Sequence, residues 1–253
     1  GAVSKPDFNP DLFTGRIMKK DWNNLINDKD KPLVNRFTQG LYPPGSIVKM
    51  ITGAVLMNHQ DFDPHMEQVC DGAYQFGDRV FGCWNTQGHG KVDLTSAVAQ
   101  SCDIYFYRTI QYYDIDLLAK YFYNFGFGNI VGIDIEGEAK GTIPTKAYMD
   151  KRYGRFGWST GALLNFSIGQ GEILVTPIQV LNYTNILATR GKTFKPHLVR
   201  SDILIDNKDS LIPSEDWDRI IFDMGQVVSH QNGTGKNADP LINGVDVYGK
   251  TGT

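Results

Sequence analysis

A serine hydroxyl and a lysine amine three residues apart, Ser46 and Lys49, share one face of any helix that carries them. Such a pair is a candidate nucleophile and base. A serine attacks only if something takes its proton, and a lysine can take it only where burial or a second cation has lowered its pKa. The stretch Pro43-Pro44-Gly45-Ser46-Ile47-Val48-Lys49-Met50 meets the first need. Pro44 and Gly45 make a turn, and Ile47, Val48, Met50, Ile51, Val55, Leu56 and Met57 predict a buried helix behind it. The helix start favours negative charge on Ser46 and offers free backbone N–H groups to an oxyanion. Alone, Ser-x-x-Lys is a weak signal, since a chain of 253 residues holds about one by chance.

Two further clusters follow in order. Ser101-Cys102-Asp103 begins 55 residues after Ser46, and Lys250-Thr251-Gly252 begins 149 residues after Ser101. Ser-x-x-Lys, a Ser-x-Asn-type triplet and Lys-Thr-Gly together are the signature of penicillin-binding proteins and class A β-lactamases. Other residues that invite a chemical reading have blander ones. His59, His65, His197 and His230 stand without partners at ligand spacing, and Asp134, Glu136 and Glu138 suit a solvated loop edge. Gly233-Thr234-Gly235 lacks the Gly-Lys-Ser/Thr that would make it a phosphate loop, and with Asn232 it is read as a turn or flexible loop.

The elements that must hold these clusters come from an ordinary globular composition: 41% hydrophobic, 21% charged, net charge -3. No basic block favours nucleic acid, and no run approaches the roughly 20 apolar residues of a membrane span. Ala2-Val3-Ser4 reads as the end of a strand, and residues 15 to 41 as a surface segment. Leu94 to Gln100 predicts a short helix that breaks at Ser101-Cys102-Asp103, with an aromatic helix resuming at Ile104. Leu117, Leu118, Tyr121, Phe122 and Phe125 form a helical core stripe closed by Gly126 and Gly128. Gly132 to Gly154 reads as loops, and Thr176-Pro177 opens a helix that Gly191 stops. Phe194 to Val199 and Ser201 to Ile205 predict strands, Trp217 to Val228 a helix, and Val245 to Thr253 a strand by its alternation. This order predicts an α+β fold, not an alternating parallel sheet.

The chain resembles the class B penicillin-binding proteins. The likeness is carried by the three motifs and by Gly88-His89-Gly90-Lys91-Val92-Asp93-Leu94, Ser101-Cys102-Asp103-Ile104-Tyr105-Phe106-Tyr107, Gly169-Gln170-Gly171, Thr176-Pro177-Ile178-Gln179 and Tyr248-Gly249-Lys250-Thr251-Gly252-Thr253. It runs from Val3 to the last residue and is strongest to the elongation-specific branch, penicillin-binding protein 2. It implies the penicillin-binding-protein/serine β-lactamase-like transpeptidase fold, a mainly antiparallel sheet with flanking helices plus a mostly helical lobe. The α/β lobe would be built from about 1–60 and 180–253, and the helical lobe from about 61–179, with the family's further elements beyond both ends. It also implies peptidoglycan D,D-transpeptidation on stem peptides and covalent acylation by β-lactams. Ser46 would be the nucleophile, Lys49 its base, and Ser101 a proton relay to the leaving amine. The N–H groups of Ser46 and Thr253 would hold the oxyanion. Lys250, Thr251 and Thr253, with Gly252 beside them, would hold the donor carboxylate. Asp103 stands where Asn is usual and removes an amide donor. The resemblance further implies a RodA-type glycan polymerase and an MreC-type scaffold as partners, and an anchored parent at the periplasmic face of the inner membrane. A serine β-lactamase and a non-catalytic β-lactam sensor share the motifs. The first would need a deacylating base of the Glu-x-x-x-Asn kind, absent between the second and third motifs.

Catalysis requires no cofactor in this reading, but the cysteines suggest a structural zinc. Cys70, Cys83 and Cys102 lie in 33 residues with His89 among them, spaced C-x12-C-x5-H-x12-C. Three thiolates and one imidazole are a common zinc set, and an odd cysteine count cannot pair completely. Asp71 is an alternative ligand to Cys70, on a parallel with some elongation-type relatives. Buried free thiols, or one disulfide with a spare thiol, are the competing readings.

Overall fold

Apart from Lys49 and Thr52, Lys49–Met57, which we call α3, is apolar or small all round, and a helix of that kind should be interior. It is: every residue from Lys49 to Leu56 is buried, and α3 sits at the centre of the computed structural model. The structure describes residues 1–199, 205–207 and 212–252. Before α3 come the surface helices α1 (Lys19–Asn27) and α2 (Arg36–Gln39), then a 3-10 turn, Gly45–Val48, that leads straight into α3. Around α3 pack α4 (Leu94–Ala99), α5 (Asp103–Ile110), α6 (Ile115–Asn124) and α10 (Ser214–Ser229).

Between α3 and α4 the chain makes two antiparallel ribbons. β1 (Gln68–Cys70) pairs with β4 (Gly90–Val92), placing Cys70 opposite Gly90, and β2 (Ala73–Phe76) pairs with β3 (Arg79–Gly82) as a hairpin inserted between them. The nesting matters because it brings the end of β1, the end of β3 and the start of β4 together. A third ribbon joins β5 (Lys192–Phe194) to β6 (Ile205–Asn207). The remaining helices are α7 (Lys146–Tyr153), α8 (Gly161–Ser167) and α9 (Pro177–Ala188). α4 and α9 each start with a full capping box, Asp93 with Ser96 and Thr176 with Gln179.

The α+β class and the antiparallel pairing agree with expectation, but the pairing lies elsewhere than expected. Among the described residues two of the three ribbons fall within 61–179, the part expected to be mostly helical, and only β5 with β6 falls in the other part. Among the described residues, 245–252 pair in no ladder; the Gly249 N–H goes to the Met224 carbonyl of α10. Alternation sorts side chains to two sides, but a strand also needs a neighbouring strand to bond. For the same reason residues 2–4 are unpaired, with the Ser4 hydroxyl on the Val34 carbonyl instead. The stretch read as loops contains α7, whose only buried residue is Met149 and which therefore carries no apolar period. The strand expected from Phe194 ends at that residue. Of the strand expected at Ser201 to Ile205 only Ile205 is among the described residues, and Thr253 lies outside them.

Candidate active site and metal centre

The end of α4 organises the site. The Ser101 N–H bonds the Val98 carbonyl at 3.2 Å and the Cys102 N–H bonds the Ala97 carbonyl at 2.8 Å, the paired bonds of a Schellman cap. That cap turns on a left-handed residue, and Ser101 supplies it with φ +54°. Three neighbouring carbonyls are then taken by three distant parts of the chain. Ala99 accepts the Thr234 N–H at 3.0 Å and its hydroxyl at 3.2 Å. Gln100 accepts the Trp84 indole N–H at 3.0 Å, and Ser101 accepts Lys49 Nζ at 2.7 Å.

Lys49 leaves the first turn of α3 with its side chain wholly buried. Besides the Ser101 carbonyl, its Nζ donates to Asp103 Oδ1 at 2.8 Å and to the Ser101 hydroxyl at 3.2 Å. Lys250 Nζ donates to the same hydroxyl at 2.9 Å. The two lysines thus converge on one oxygen. Burial lowers the pKa of Lys49, opposed by the Asp103 carboxylate. Burial, and after it the charge of Lys49, pushes Lys250 down to about 7. Both amines are therefore easier to deprotonate than a free lysine, which is the condition a base or a proton relay has to meet.

Ser46 stands in the 3-10 turn just ahead of Lys49, whose N–H bonds the Ser46 carbonyl. The sequence reading put this serine in the first turn of the α-helix; the 3-10 turn is the tighter form of that start. Its position is set from behind. The Gly45 N–H bonds the Gly169 carbonyl at 3.0 Å, the Thr52 hydroxyl bonds the Ser167 carbonyl at 2.7 Å, and the Tyr183 hydroxyl bonds the Ile47 carbonyl at 2.9 Å. Gly252 lies against the front of the turn, where an added Cβ would be 3.2 Å from Ile47 Cγ2. Thr251 Oγ1 is 2.8 Å from Thr234 Oγ1. The three motifs therefore form one site, with Ser46, Ser101 and Asp103 each nearly closed to solvent.

The four predicted metal donors also meet. Sγ of Cys70, Cys83 and Cys102 and a ring nitrogen of His89 lie within 4.8 Å of one another. His89 Nδ1 is 3.5 Å from Cys70 Sγ and 3.6 Å from Cys83 Sγ. In a tetrahedral zinc site with ordinary Zn–S and Zn–N bond lengths that edge is about 3.6 Å, so these residues fit the ion. The three thiols are free, and Asp71 is exposed and outside the group. The contact with Cys102 lowers the pKa of the Cys83 thiol, and the same contact together with burial raises that of Cys102.

Trp84 and Thr234 escaped the sequence reading, as did the role of Gly169. Trp84 follows a metal donor and Thr234 sits in a stretch dismissed as a turn; each acts on a backbone carbonyl, which no side-chain motif marks. The penicillin binding protein transpeptidase domain family matches residues 1–253. The chain belongs to that family. It is 35% identical over 268 residues to the peptidoglycan D,D-transpeptidase MrdA of Haemophilus influenzae, covering 99% of this chain and 40% of that one. Among solved structures, Pseudomonas aeruginosa PBP2 in complex with WCK 5153 superposes with a TM-score of 0.87 at 34% identity, covering 99% of this chain and 59% of that one. Helicobacter pylori PBP2 gives a TM-score of 0.87 at 31% identity, over 95% of this chain and 46% of that one. This member of the transpeptidase family therefore spans less than half the length of the curated MrdA relative. Among the described residues no helix is long and apolar enough to cross a membrane.

Proposed function

We propose that the chain is the catalytic part of a peptidoglycan D,D-transpeptidase of cell-wall elongation. The observation that carries this is the convergence of Lys49 and Lys250 on the Ser101 hydroxyl beside the Ser46 turn. Ser46 Oγ attacks the carbonyl between two terminal D-alanines and Lys49 accepts its proton. As the C–N bond breaks, Ser101 passes a proton to the departing amine, leaving an ester on Ser46. The amine of a neighbouring stem peptide attacks that ester, forms the cross-link and restores the hydroxyl. Lys250, Thr251 and Thr253 hold the donor carboxylate, and a β-lactam imitates the donor. Labelled penicillin is expected to acylate Ser46 alone. Ser46→Ala should abolish labelling and Lys49→Ala should slow it by a factor of about 100 or more. Adduct mass spectrometry placing the label on another residue would refute the assignment, and rapid penicillin turnover would favour a β-lactamase.

Cys70, Cys83, His89 and Cys102 would hold a structural zinc, with all four positions filled by protein and none left for water. The ion would supply folding energy and brace the Ser101 loop through Cys102. Metal analysis is expected to find about one equivalent per chain. Cys102→Ser should lower the melting temperature and the acylation rate together, whereas metal-free protein with full acylation would remove the idea. An MreC-type scaffold and a RodA-type polymerase are the proposed partners. Support comes from the solved complex between Helicobacter pylori PBP2 and MreC and from a solved peptidoglycan synthase complex that coordinates polymerization and crosslinking. Action on stem peptides would imply an anchored parent at the periplasmic face of the inner membrane.

A further inference from the structure

Trp84 bonds both flanks of the Ser101 turn. Its indole N–H donates to the Gln100 carbonyl at 3.0 Å, and its backbone N–H donates to Asp103 Oδ2, also at 3.0 Å. One residue thus grips the position before Ser101 and the position two after it. The ring is tilted against His89, centroids 5.4 Å apart, yet the residue is 56% exposed, so it is poorly explained as a core filler. Its anchored edge is the polar one.

We propose that Trp84 is a positioning residue for acyl transfer, clamping the loop that carries Ser101 in the geometry that Lys49 and Lys250 require. The inference rests on the roles given to Ser46, Lys49 and Ser101 above. The clamp works in two places. With Oδ2 of Asp103 held by the Trp84 N–H, Oδ1 is left facing Lys49. With the Gln100 carbonyl held by the indole, the peptide entering the left-handed Ser101 cannot rotate toward solvent to relax that residue. Trp84 does not touch the Ser46 turn in any hydrogen bond described above; its effect passes through Ser101 and Asp103.

The test is stopped-flow acylation of the intact protein by a fluorescent penicillin, separating the encounter constant from the acylation rate constant. Trp84→Phe keeps the backbone N–H and most of the ring but loses the indole donor. Its acylation rate constant should fall by about 10 to 100-fold, the usual effect of a slight misplacement of reacting groups. The encounter constant, the melting temperature and the bound-metal content should stay near wild type. Trp84→His, which returns a ring N–H, should recover part of the lost rate. A Phe variant acylating at the wild-type rate would overturn the clamp. So would a His variant no faster than a Phe variant whose melting temperature had also dropped. If the wild-type protein itself failed to acylate, the transpeptidase reading would fall instead.

Discussion

Ser101 holds a backbone conformation that an L-residue adopts at a cost of about 1 to 2 kcal/mol, because its Cβ crowds the following carbonyl. Its φ is +54°. Gly169 has the same place in the cap of α8, where φ is +75° and no side chain pays the penalty. A serine persists at the end of α4 because its hydroxyl receives Lys49 and Lys250, contacts that a glycine could not make. Strain of this kind is measured by comparing two variants that both lack the hydroxyl. Ser101→Gly should be about 1 kcal/mol more stable to denaturant than Ser101→Ala, and neither should acylate efficiently. Equal stabilities would mean that the turn stores no strain. The Asp103 carboxylate acts against burial at Lys49, which keeps this amine more readily protonated than an asparagine at 103 would.

Among the elements, the end of α8 sets the position of Ser46. Gly169 turns back under the Ser46 turn so closely that a Cβ added there would sit 2.2 Å from the Gly45 carbonyl oxygen. Gly169→Ala therefore combines a left-handed alanine with a backbone clash, and should destabilise by about 2 kcal/mol or more while slowing acylation. A variant with wild-type stability and rate would show that the turn has room to move. The sequence made some of these elements plain and hid others. Thr176 announced α9 because capping is local chemistry, and the largely apolar α3 pointed to the interior, whereas the Asp93 cap of α4 went unread. The metal donors were legible as a set, but only the nesting of β2 and β3 between β1 and β4 explains how so loose a spacing closes. α7 was hidden by its lack of a buried stripe, and the unpaired course of 245–252 by an alternation that implied a partner strand. Trp84 and Thr234 were hidden because they serve carbonyls whose nearness only the folded chain decides.

At the scale of the whole molecule, α10 and α4 are locked by a small buried network. Thr95 Oγ1 donates to Asp223 Oδ1 at 2.7 Å and accepts from Arg219 Nη2 at 2.6 Å, and Arg219 Nε reaches Asp223 Oδ1 at 3.1 Å. The Asp223 side chain is 2% exposed and that of Arg219 21%. Asp223→Ala strips two donors of their acceptor and should cost about 2 to 3 kcal/mol, less than a fully buried pair because Arg219 can still find water. A smaller loss in chemical denaturation would show that packing alone joins the two helices. The carbonyls at the end of α4 carry a consequence for assembly. They are met by donors 135, 16 and 52 residues away, from Thr234, Trp84 and Lys49. Contacts that distant form only after long loops have closed. If Ser46 is the nucleophile, a newly made chain carries it from the moment Ser46 is synthesised but should gain a reactive one only when chain as remote as Thr234 has docked. On the proposed function, unfinished molecules should resist acylation, so a covalent β-lactam count is expected to register only chains that have completed their folding.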